Sequence, residues 1–226
     1  MNEFIGSPFF GVVLSIVMYA IGVWINKKTK SPIANPLMIA IVLVIVFLLV
    51  FDIPLEEYNK GGDIIGFFLV PATASLALAI YRQLWLLKKN FLPVIVGCAA
   101  GSLASMGSVY GLCQLFGVGE QMTSSLLPKS VTSPIAMDVA AMLGGIPSIA
   151  VAAVVVTGII GAIAAPGMIK LFRVKNPVAA GVAIGTSSHA LGTTKALEIG
   201  EVEGAMSGLA IGVAGVLTVI FAMIIG

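Results

Sequence analysis

Residues 204–226 read GAMSGLAIGVAGVLTVIFAMIIG, and this stretch contains no charged side chain. An α-helix needs about 20 apolar residues to cross the hydrocarbon core of a bilayer, so the stretch is long enough for one crossing. Uncharged runs of comparable length recur at 4–25, 33–51, 64–81, 91–116 and 147–169. The sequence therefore predicts an all-α integral membrane protein with about six full transmembrane helices in a single polytopic domain, residues 1–226.

The composition excludes a water-soluble globular protein. Only 10% of the 226 residues are charged and 59% are hydrophobic, whereas soluble domains carry roughly 25% charged residues. A net charge of +2 is too small to predict a nucleic-acid partner. Cys98 and Cys113 lie in one apolar run, where we expect them to pack as small hydrophobic residues. We expect no metal site.

The basic residues predict the orientation in the membrane. Nine of the twelve lie in three short loops, which the positive-inside rule places in the cytoplasm. These are Lys27, Lys28, Lys30, Arg82, Lys88, Lys89, Lys170, Arg173 and Lys175. The intervening loops carry acidic residues instead, at 52–63 and at Glu120. We therefore expect these loops and the N-terminus to face outward.

The first of two polar segments, residues 123–138, reads TSSLLPKSVTSPIAMD. Pro128 and Pro134 remove backbone donors and disfavour a continuous helix, which predicts a break at membrane depth. The chain starts outside at 120 and must arrive inside by 170, so residues 121–146 are expected to enter the membrane and return. Pro134 suits the first position of a short helix at 135–143, with Thr132 or Ser133 as its N-cap.

The second polar segment, residues 185–198, reads GTSSHALGTTKALE and contains the only histidine of the chain. It predicts a broken or re-entrant helix around 178–200, and both re-entry and a full crossing remain open. The side of the C-terminus depends on this choice. Irregular backbone is tolerated at membrane depth only where it is buried in protein or lines a wet cavity. The two segments are therefore expected to share a cavity, as in secondary transporters.

The hydroxyls and the free N–H groups of half-helices in these segments suit a small carboxylate. Each charged residue also has a structural interpretation. Lys129 either snorkels to the outer interface or serves as ligand or counter-ion. Asp138 either pairs with Lys129 or carries a coupling proton, and His189 either packs or binds and titrates. Lys195 and Glu198, three residues apart, form either a local ion pair or a gate.

Small residues also recur at four-residue spacing, at 97, 101 and 105 and at 204, 208 and 212. Such faces permit close helix packing within the chain or between copies of it in a homo-oligomer.

The motifs Asn35-Pro-Leu, Leu127-Pro-Lys-Ser-Val-Thr-Ser-Pro-Ile-Ala, Gly185-Thr-Ser-Ser-His-Ala-Leu-Gly-Thr and Glu203-Gly-Ala-Met-Ser resemble those of the LrgB/CidB family. The resemblance covers essentially the whole chain. It implies a bacterial inner-membrane protein that works beside a small holin-like membrane protein of the LrgA/CidA type. Members are described as antiholin-like, and bacterial and plastid relatives are linked to transport of pyruvate, glycolate or glycerate. The resemblance implies a substrate site of Asn35, Lys129, Ser130, Thr132, Ser133, Ser188, His189 and Thr193.

Our leading hypothesis is a secondary carrier of a small 2-oxo or 2-hydroxy monocarboxylate, in contact with lipid and without a cofactor except a possible coupling proton or cation. In it Lys129 supplies the counter-charge, and Asp138 or His189 carries any coupled proton. The alternative is a holin-like or antiholin-like pore or regulator of murein hydrolase export. An intramembrane enzyme would need a serine beside His189, and the sequence lacks the HExxH motif of zinc proteases. We therefore expect no enzyme.

Overall fold

The computed structural model describes residues 5–29, 34, 36–68, 71, 74, 81 and 84–225. In these ranges the regular structure is α-helical, and no strand occurs. The chain is an all-α membrane protein, as its composition predicts. Its contacts divide it into two compact units, Met1–Thr73 and Ala74–Gly226, which are described separately below.

The first unit contains α1 (Pro8–Thr29), α2 (Pro36–Val50) and α3 (Leu55–Phe67). Phe10 and Leu14 of α1 pack against Val44 and Leu48 of α2 in its hydrophobic core. Close approach of α1 and α3 is possible because glycines face each other: a Cβ atom at Gly11 would lie 3.0 Å from the Cα of Gly61.

The acidic stretch of this unit differs from the prediction. The loop expected at 52–63 is largely helical, because α3 begins at Leu55 and includes Glu56, Glu57 and Asp63. Two acidic residues in its first turn interact favourably with the positive end of the helix dipole and stabilise the helix. Glu57 also forms an ion pair with Lys60, whose Nζ lies 2.6 Å from Glu57 Oε2. The acidic residues thus support a helix start that we had interpreted as a solvated loop.

The second unit contains the remaining described helices. They are α4 (Leu84–Lys89), α5 (Phe91–Leu115), α6 (Glu120–Leu126), α7 (Ser133–Met142), α8 (Pro147–Leu171), α9 (Pro177–Ile199) and α10 (Glu201–Ile225). Among the described residues, α1, α5, α8 and α10 are long and apolar enough to cross a membrane. They correspond to four of the six predicted crossings. The run at 33–51 forms the shorter apolar helix α2, and most of the run at 64–81 lies outside the described residues.

The segment 121–146 has the predicted break. Helix α6 ends at Leu126, α7 begins at Ser133, and Thr132 is the N-cap residue, with extended backbone angles. After α7 the chain reverses at Gly144, whose φ of +74° glycine adopts without strain. The return is held by Ser125, whose Oγ accepts a hydrogen bond from Ile146 N at 2.7 Å. Gly145 allows this contact, since a Cβ atom there would lie 2.7 Å from Ser125 N.

The segment 178–200 is one long helix with an internal break. Helix α9 starts at Pro177, and the Asn176 side chain accepts hydrogen bonds from Val178 N and Ala179 N. His189 has φ 41° and ψ −139°, so the helical path is interrupted there. The chain then reaches Gly200 and turns directly into α10. The sequence predicted a break in this segment, and the structure assigns it to His189.

Helices α5, α9 and α10 enclose one hydrophobic core of the second unit. Val94 and Cys98 of α5 pack with Val182 of α9 and with Met206 and Leu209 of α10. The spacing of small residues in α5 serves this contact, because Cβ atoms at 97 and 101 would meet the side chains at 182 and 186 of α9. This core fixes α9, which carries much of the candidate site.

Candidate functional site

Lys129 lies in the break between α6 and α7, and its side chain is partly buried. Its Nζ donates to Ser130 Oγ at 3.3 Å, and Ser130 Oγ lies 2.7 Å from Ser105 Oγ of α5. The ion pairs within 4.0 Å in the described part of the chain are Lys60–Glu57 and Lys195–Glu198. No described carboxylate therefore neutralises Lys129 at close range. Ser130, held by Ser105, thus positions the ammonium of Lys129, which has no carboxylate partner among the described residues.

Thr132 is the second unusual group in this break. The residue is 7% exposed, and its Oγ1 has no hydrogen-bond partner among the described residues. A threonine at an N-cap ordinarily accepts a hydrogen bond from the first turn of its helix, yet this side chain makes no cap bond. Leaving a buried hydroxyl unpaired costs about 1–3 kcal/mol. Such a group at a helix N-terminus is suited to a ligand with a hydrogen-bonding oxygen.

A cavity of about 600 Å³ lies between α8 and α9, with Lys129 on its wall. Ser187 and Ser188 of α9 and Thr157 of α8 supply further hydroxyls. The rest of the lining is mainly apolar and includes Ile160, Ala164, Met168, Ile169, Phe172, Val174, Ala183 and Ile184. Lys129 of the first polar segment and Ser187 and Ser188 of the second thus line one cavity, whereas the other predicted site residues of these segments are not among its lining residues. It extends to the C-terminal end of α8, beside the basic loop that is predicted to be cytoplasmic.

His189 is buried, and its ring is engaged by the neighbouring helix. Its Nε2 lies 2.9 Å from the backbone oxygen of Val154, which can only accept a hydrogen bond. Gly158 makes room for the ring, since a Cβ atom there would lie 2.5 Å from His189 Cε1. One turn further, a Cβ atom at Gly161 would lie 2.6 Å from Ser188 Cβ. The α8 glycines therefore form a groove that receives the broken part of α9.

Thr193 connects the break in α9 to α10. Its Oγ1 donates to the backbone oxygen of His189 at 3.0 Å and lies 2.7 Å from Ser207 Oγ. Ser207 is fully buried in α10. The hydroxyl of Thr193 therefore bonds to the carbonyl at the break and links two helices.

The other predicted residues are placed as follows. Ser133 is the first residue of α7 and is partly buried, whereas Asp138 on the same helix is exposed. The structure does not pair Asp138 with Lys129 within 4.0 Å, because that carboxylate is on an outward side of α7. Lys195 Nζ lies 2.6 Å from Glu198 Oε2, an ion pair on the exposed end of α9. Asn35 lies outside the described residues.

Several residues of this region were not singled out by the sequence analysis. Thr157, Gly158 and Gly161 lie in an apolar run that we interpreted only as a crossing. Ser187, which lines the cavity, is one of the hydroxyls of the second segment and is not among the predicted site residues. The signal for the α8 groove is the Gly-x-x-Gly spacing of 158 and 161, which places both residues on one helix face. Among the described residues, no group of three or more His, Cys, Asp or Glu side chains could hold a metal ion.

The motifs that carry this geometry are those of a known family. The chain matches the model of the LrgB-like family over residues 15–226. It belongs to that family. The antiholin-like protein LrgB of Bacillus mycoides (strain KBAB4) is 40% identical to this LrgB-like chain over 215 residues, 95% of this chain and 94% of the relative. Proteins of the same name from Bacillus cereus (strain B4264) and Bacillus anthracis (strain CDC 684 / NRRL 3495) match equally well.

This membership confirms the resemblance drawn from the motifs. No solved structure matches the LrgB-like chain. The names of these relatives describe an antiholin-like role and no enzymatic activity. They name no transported substrate.

Proposed function

We propose that this chain binds a small 2-oxo or 2-hydroxy monocarboxylate in its second unit and carries it across the membrane. The observation that supports this most directly is the break at 127–132. It combines the Lys129 ammonium, which borders the cavity and has no carboxylate partner among the described residues, with the Thr132 hydroxyl, which has no hydrogen-bond partner among them. In such a site the carboxylate of the ligand neutralises Lys129. The hydroxyls of the protein form hydrogen bonds with the 2-oxo or 2-hydroxy oxygen of the ligand.

An ionisable group at membrane depth is expensive and is retained mostly where it serves a substrate or ion pathway. Lys129 receives partial compensation from Ser130, a neutral hydroxyl. A bound anion would neutralise the charge of Lys129, which the Ser130 hydroxyl cannot do, because a charged acceptor gives the stronger hydrogen bond.

The test is counterflow of labelled pyruvate and glycolate into proteoliposomes that contain the purified chain. Saturable uptake is expected for the wild type and a loss of uptake for Lys129→Met, which keeps the length of the side chain and removes its charge. Lys195→Met is the matched control, because Lys195 is in an exposed ion pair outside the cavity lining. Equal uptake by wild type and Lys129→Met would contradict the proposal.

A second candidate function is favoured by the comparisons. The relatives are named antiholin-like proteins, so the chain is also a candidate regulator of murein hydrolase export. In this role it would act in an oligomer or beside a small LrgA/CidA-type membrane protein. Leakage of solutes according to size, without saturation and without dependence on Lys129, would favour this function over a carrier. Adding the small partner to the same proteoliposomes tests whether it changes either behaviour.

The orientation is part of the proposal. With the loops at 27–30 and 170–175 in the cytoplasm of a bacterial inner membrane, the N-terminus is outside and the cavity opens near the cytoplasmic face. Cysteines introduced singly at Lys28 and Lys175 should then resist labelling by a membrane-impermeant maleimide in intact spheroplasts. Labelling of both before lysis would reverse the orientation.

A further inference from the structure

We propose that each of two short motifs, Trp24-x-x-Lys27-Lys28 and Trp85-x-x-Lys88-Lys89, binds the phosphate headgroup of an anionic phospholipid. The first motif lies at the end of α1, and the second makes up most of α4. One motif belongs to each unit, and each forms its own lipid site. The proposal concerns the lipid that surrounds the chain, so it does not depend on which solute the chain carries.

The two motifs have the same pattern of residues. They read WINKK at 24–28 and WLLKK at 85–89, and they contain the only two tryptophans of the chain. In a helix the fourth residue after a tryptophan lies on the same side as its ring, so the second lysine of each motif can reach that ring. Tryptophan is enriched where membrane helices meet the headgroups, because its ring is apolar and its N–H is polar. The shared pattern therefore predicts the same interaction at both sites.

Each tryptophan ring positions one of these lysines. Lys28 Nζ lies 5.2 Å from the centre of the Trp24 ring, and Lys89 Nζ lies 5.4 Å from the centre of the Trp85 ring. Such a cation–π contact holds the ammonium without neutralising its charge. Both rings are mostly exposed, 62% for Trp24 and 71% for Trp85, and both lysines are exposed as well. The ammonium can therefore donate to a phosphate oxygen, and the indole N–H provides a further donor.

The positive charge of the motifs has no counter-charge at close range in the part of the chain that the structure describes. The ion pairs found there within 4.0 Å involve Lys60 and Lys195. The neighbouring sequence offers no acid either, since residues 4–51 and 64–119 contain no Asp or Glu. The negative end of a helix dipole carries only about half an elementary charge and cannot neutralise two lysines. The exposed lysines in the last turns of the two helices thus remain available to an anion: Lys27, Lys28, Lys88 and Lys89.

The location of the motifs favours a lipid over a soluble anion. Helix α1 is long and apolar enough to cross a membrane, and Trp24 is close to its C-terminal end. Only Asn90 separates the second motif from α5, which is also of spanning length. Exposed apolar residues adjoin both motifs, among them Ile21 and Leu92. A phospholipid can place its phosphate at the lysines and its acyl chains along these residues, whereas a soluble anion gains only the first contact.

A third basic loop offers an internal comparison. Lys170, Arg173 and Lys175 are exposed at and just beyond the end of α8, and no tryptophan accompanies them. This loop attracts anionic headgroups through charge alone. It therefore provides matched control substitutions that remove as much charge from the chain as substitutions in a motif.

Tryptophan fluorescence tests the proposal, because each motif contains one of the two tryptophans. Trp85→Phe leaves Trp24 as the only emitter, and Trp24→Phe leaves Trp85. Each full-length variant is reconstituted into phosphatidylcholine vesicles with an equal small fraction of brominated phosphatidylglycerol or brominated phosphatidylcholine, whose bromines quench the tryptophans that the lipid contacts. Phosphatidylglycerol should bind about fivefold more strongly per lysine, because a basic residue near an anionic surface contributes about 1 kcal/mol. Equal quenching by the two lipids would overturn the proposal.

Removing charge from a motif tests whether its lysines cause the preference. With Trp24 as the emitter, Lys27→Gln combined with Lys28→Gln should reduce binding of phosphatidylglycerol to nearly that of phosphatidylcholine. Lys170→Gln combined with Lys175→Gln is the matched control and should leave the preference at Trp24 in place. The corresponding double variant of the second motif tests Trp85 in the same way. If the motif variant and the control lowered the preference equally, the overall charge of the chain would attract the lipid, and the proposal would be wrong.

A measurement that leaves all lysines intact does not depend on how the lysine variants fold or insert. Raising the ionic strength with sodium chloride should weaken the preference for phosphatidylglycerol at both tryptophans, since salt screens exposed charges. Sodium phosphate at the same ionic strength should have the same effect. A much larger effect of phosphate would mean that the motifs bind free phosphate, and a preference unaffected by salt would exclude the lysines. Either result would overturn the proposal.

Discussion

The two breaks in the second unit differ in how completely their polar groups are satisfied. At 127–132 the Thr132 hydroxyl is unpaired and Lys129 has no carboxylate partner among the described residues. At His189 the ring bonds to the Val154 carbonyl, and the carbonyl of His189 itself accepts from Thr193. A group that is already bonded within the protein has less to offer a ligand. The comparison predicts a ligand site at the first break and a structural role for the second.

The largest effect is expected at Lys129. Lys129→Met should lower the apparent affinity for a monocarboxylate about 10- to 100-fold, because a hydrogen bond to a charged group contributes roughly 1.5–3 kcal/mol. The measurement is the half-saturation concentration in counterflow or the Kd from calorimetry. His189→Asn, which alters the second break, should reduce stability more than affinity. If the two variants changed affinity equally, the distinction between the breaks would fail.

The next effect concerns the groove that receives the second break. Gly158→Ala should destabilise the fold by about 1–3 kcal/mol, because the added methyl group overlaps the His189 ring and overpacking carries that cost. Equilibrium unfolding of the detergent-solubilised chain measures it. Gly167→Ala on the same helix is the control, since no atom lies within 4 Å of its added carbon. That variant should be neutral or slightly stabilising.

A pair of threonine substitutions sharpens the comparison. Thr132→Val removes a buried hydroxyl that has no partner among the described residues, so stability should be unchanged or increase by up to about 1 kcal/mol, whereas affinity should fall several-fold. Thr193→Val breaks bonds to the His189 carbonyl and to Ser207. It should cost about 1–2 kcal/mol of stability. If Thr132 were needed for stability and Thr193 for affinity, the first break would be structural and the second would bind the ligand, which contradicts the comparison.

The smallest effect is expected for the exposed ion pair of α9. Lys195→Gln should change stability by at most about 1 kcal/mol, because exposed pairs contribute little and salt screens them. Counterflow should be unaffected. A marked loss of transport with stability intact would instead support Lys195 and Glu198 as a gate, which the sequence left open.

The sequence predicted those features that local backbone chemistry determines. Pro128 and Pro134 interrupt the segment 121–146 wherever it lies in the fold, and Thr132 is one of the two N-cap residues predicted for the short helix that starts near Pro134. The position of the second break was not predictable, because nothing at His189 itself disfavours a helix as proline does. Its partner Val154 is 35 residues away in sequence. Contacts of that range arise only when α8 and α9 pack.

The same reason explains what was missed in the site. Whether the Thr132 hydroxyl has a partner depends on which groups surround it in the fold. The apolar cavity depends on residues of α8, which the sequence predicted only as a transmembrane helix. Ser105 was recognised as a small residue on a packing face, and its contact with Ser130 requires α5 and the break to be adjacent. The helical start at Leu55 was missed for a different reason. Its acidic residues were interpreted through membrane orientation, and their favourable place in a first turn was not considered.

The hairpin of α9 and α10 has a consequence for how the chain enters the bilayer during synthesis. Among the described helices of spanning length, α9 is not apolar enough to qualify as a crossing, whereas α10 has the highest mean hydropathy, 2.6. Only Gly200 separates the two, and Thr193 of α9 bonds to Ser207 of α10. Helix α9 therefore depends on α10 to partition into lipid, and the two are expected to leave the translocon together. Helix α9, which carries polar residues of the cavity lining, is thus expected to enter the membrane together with its apolar neighbour α10.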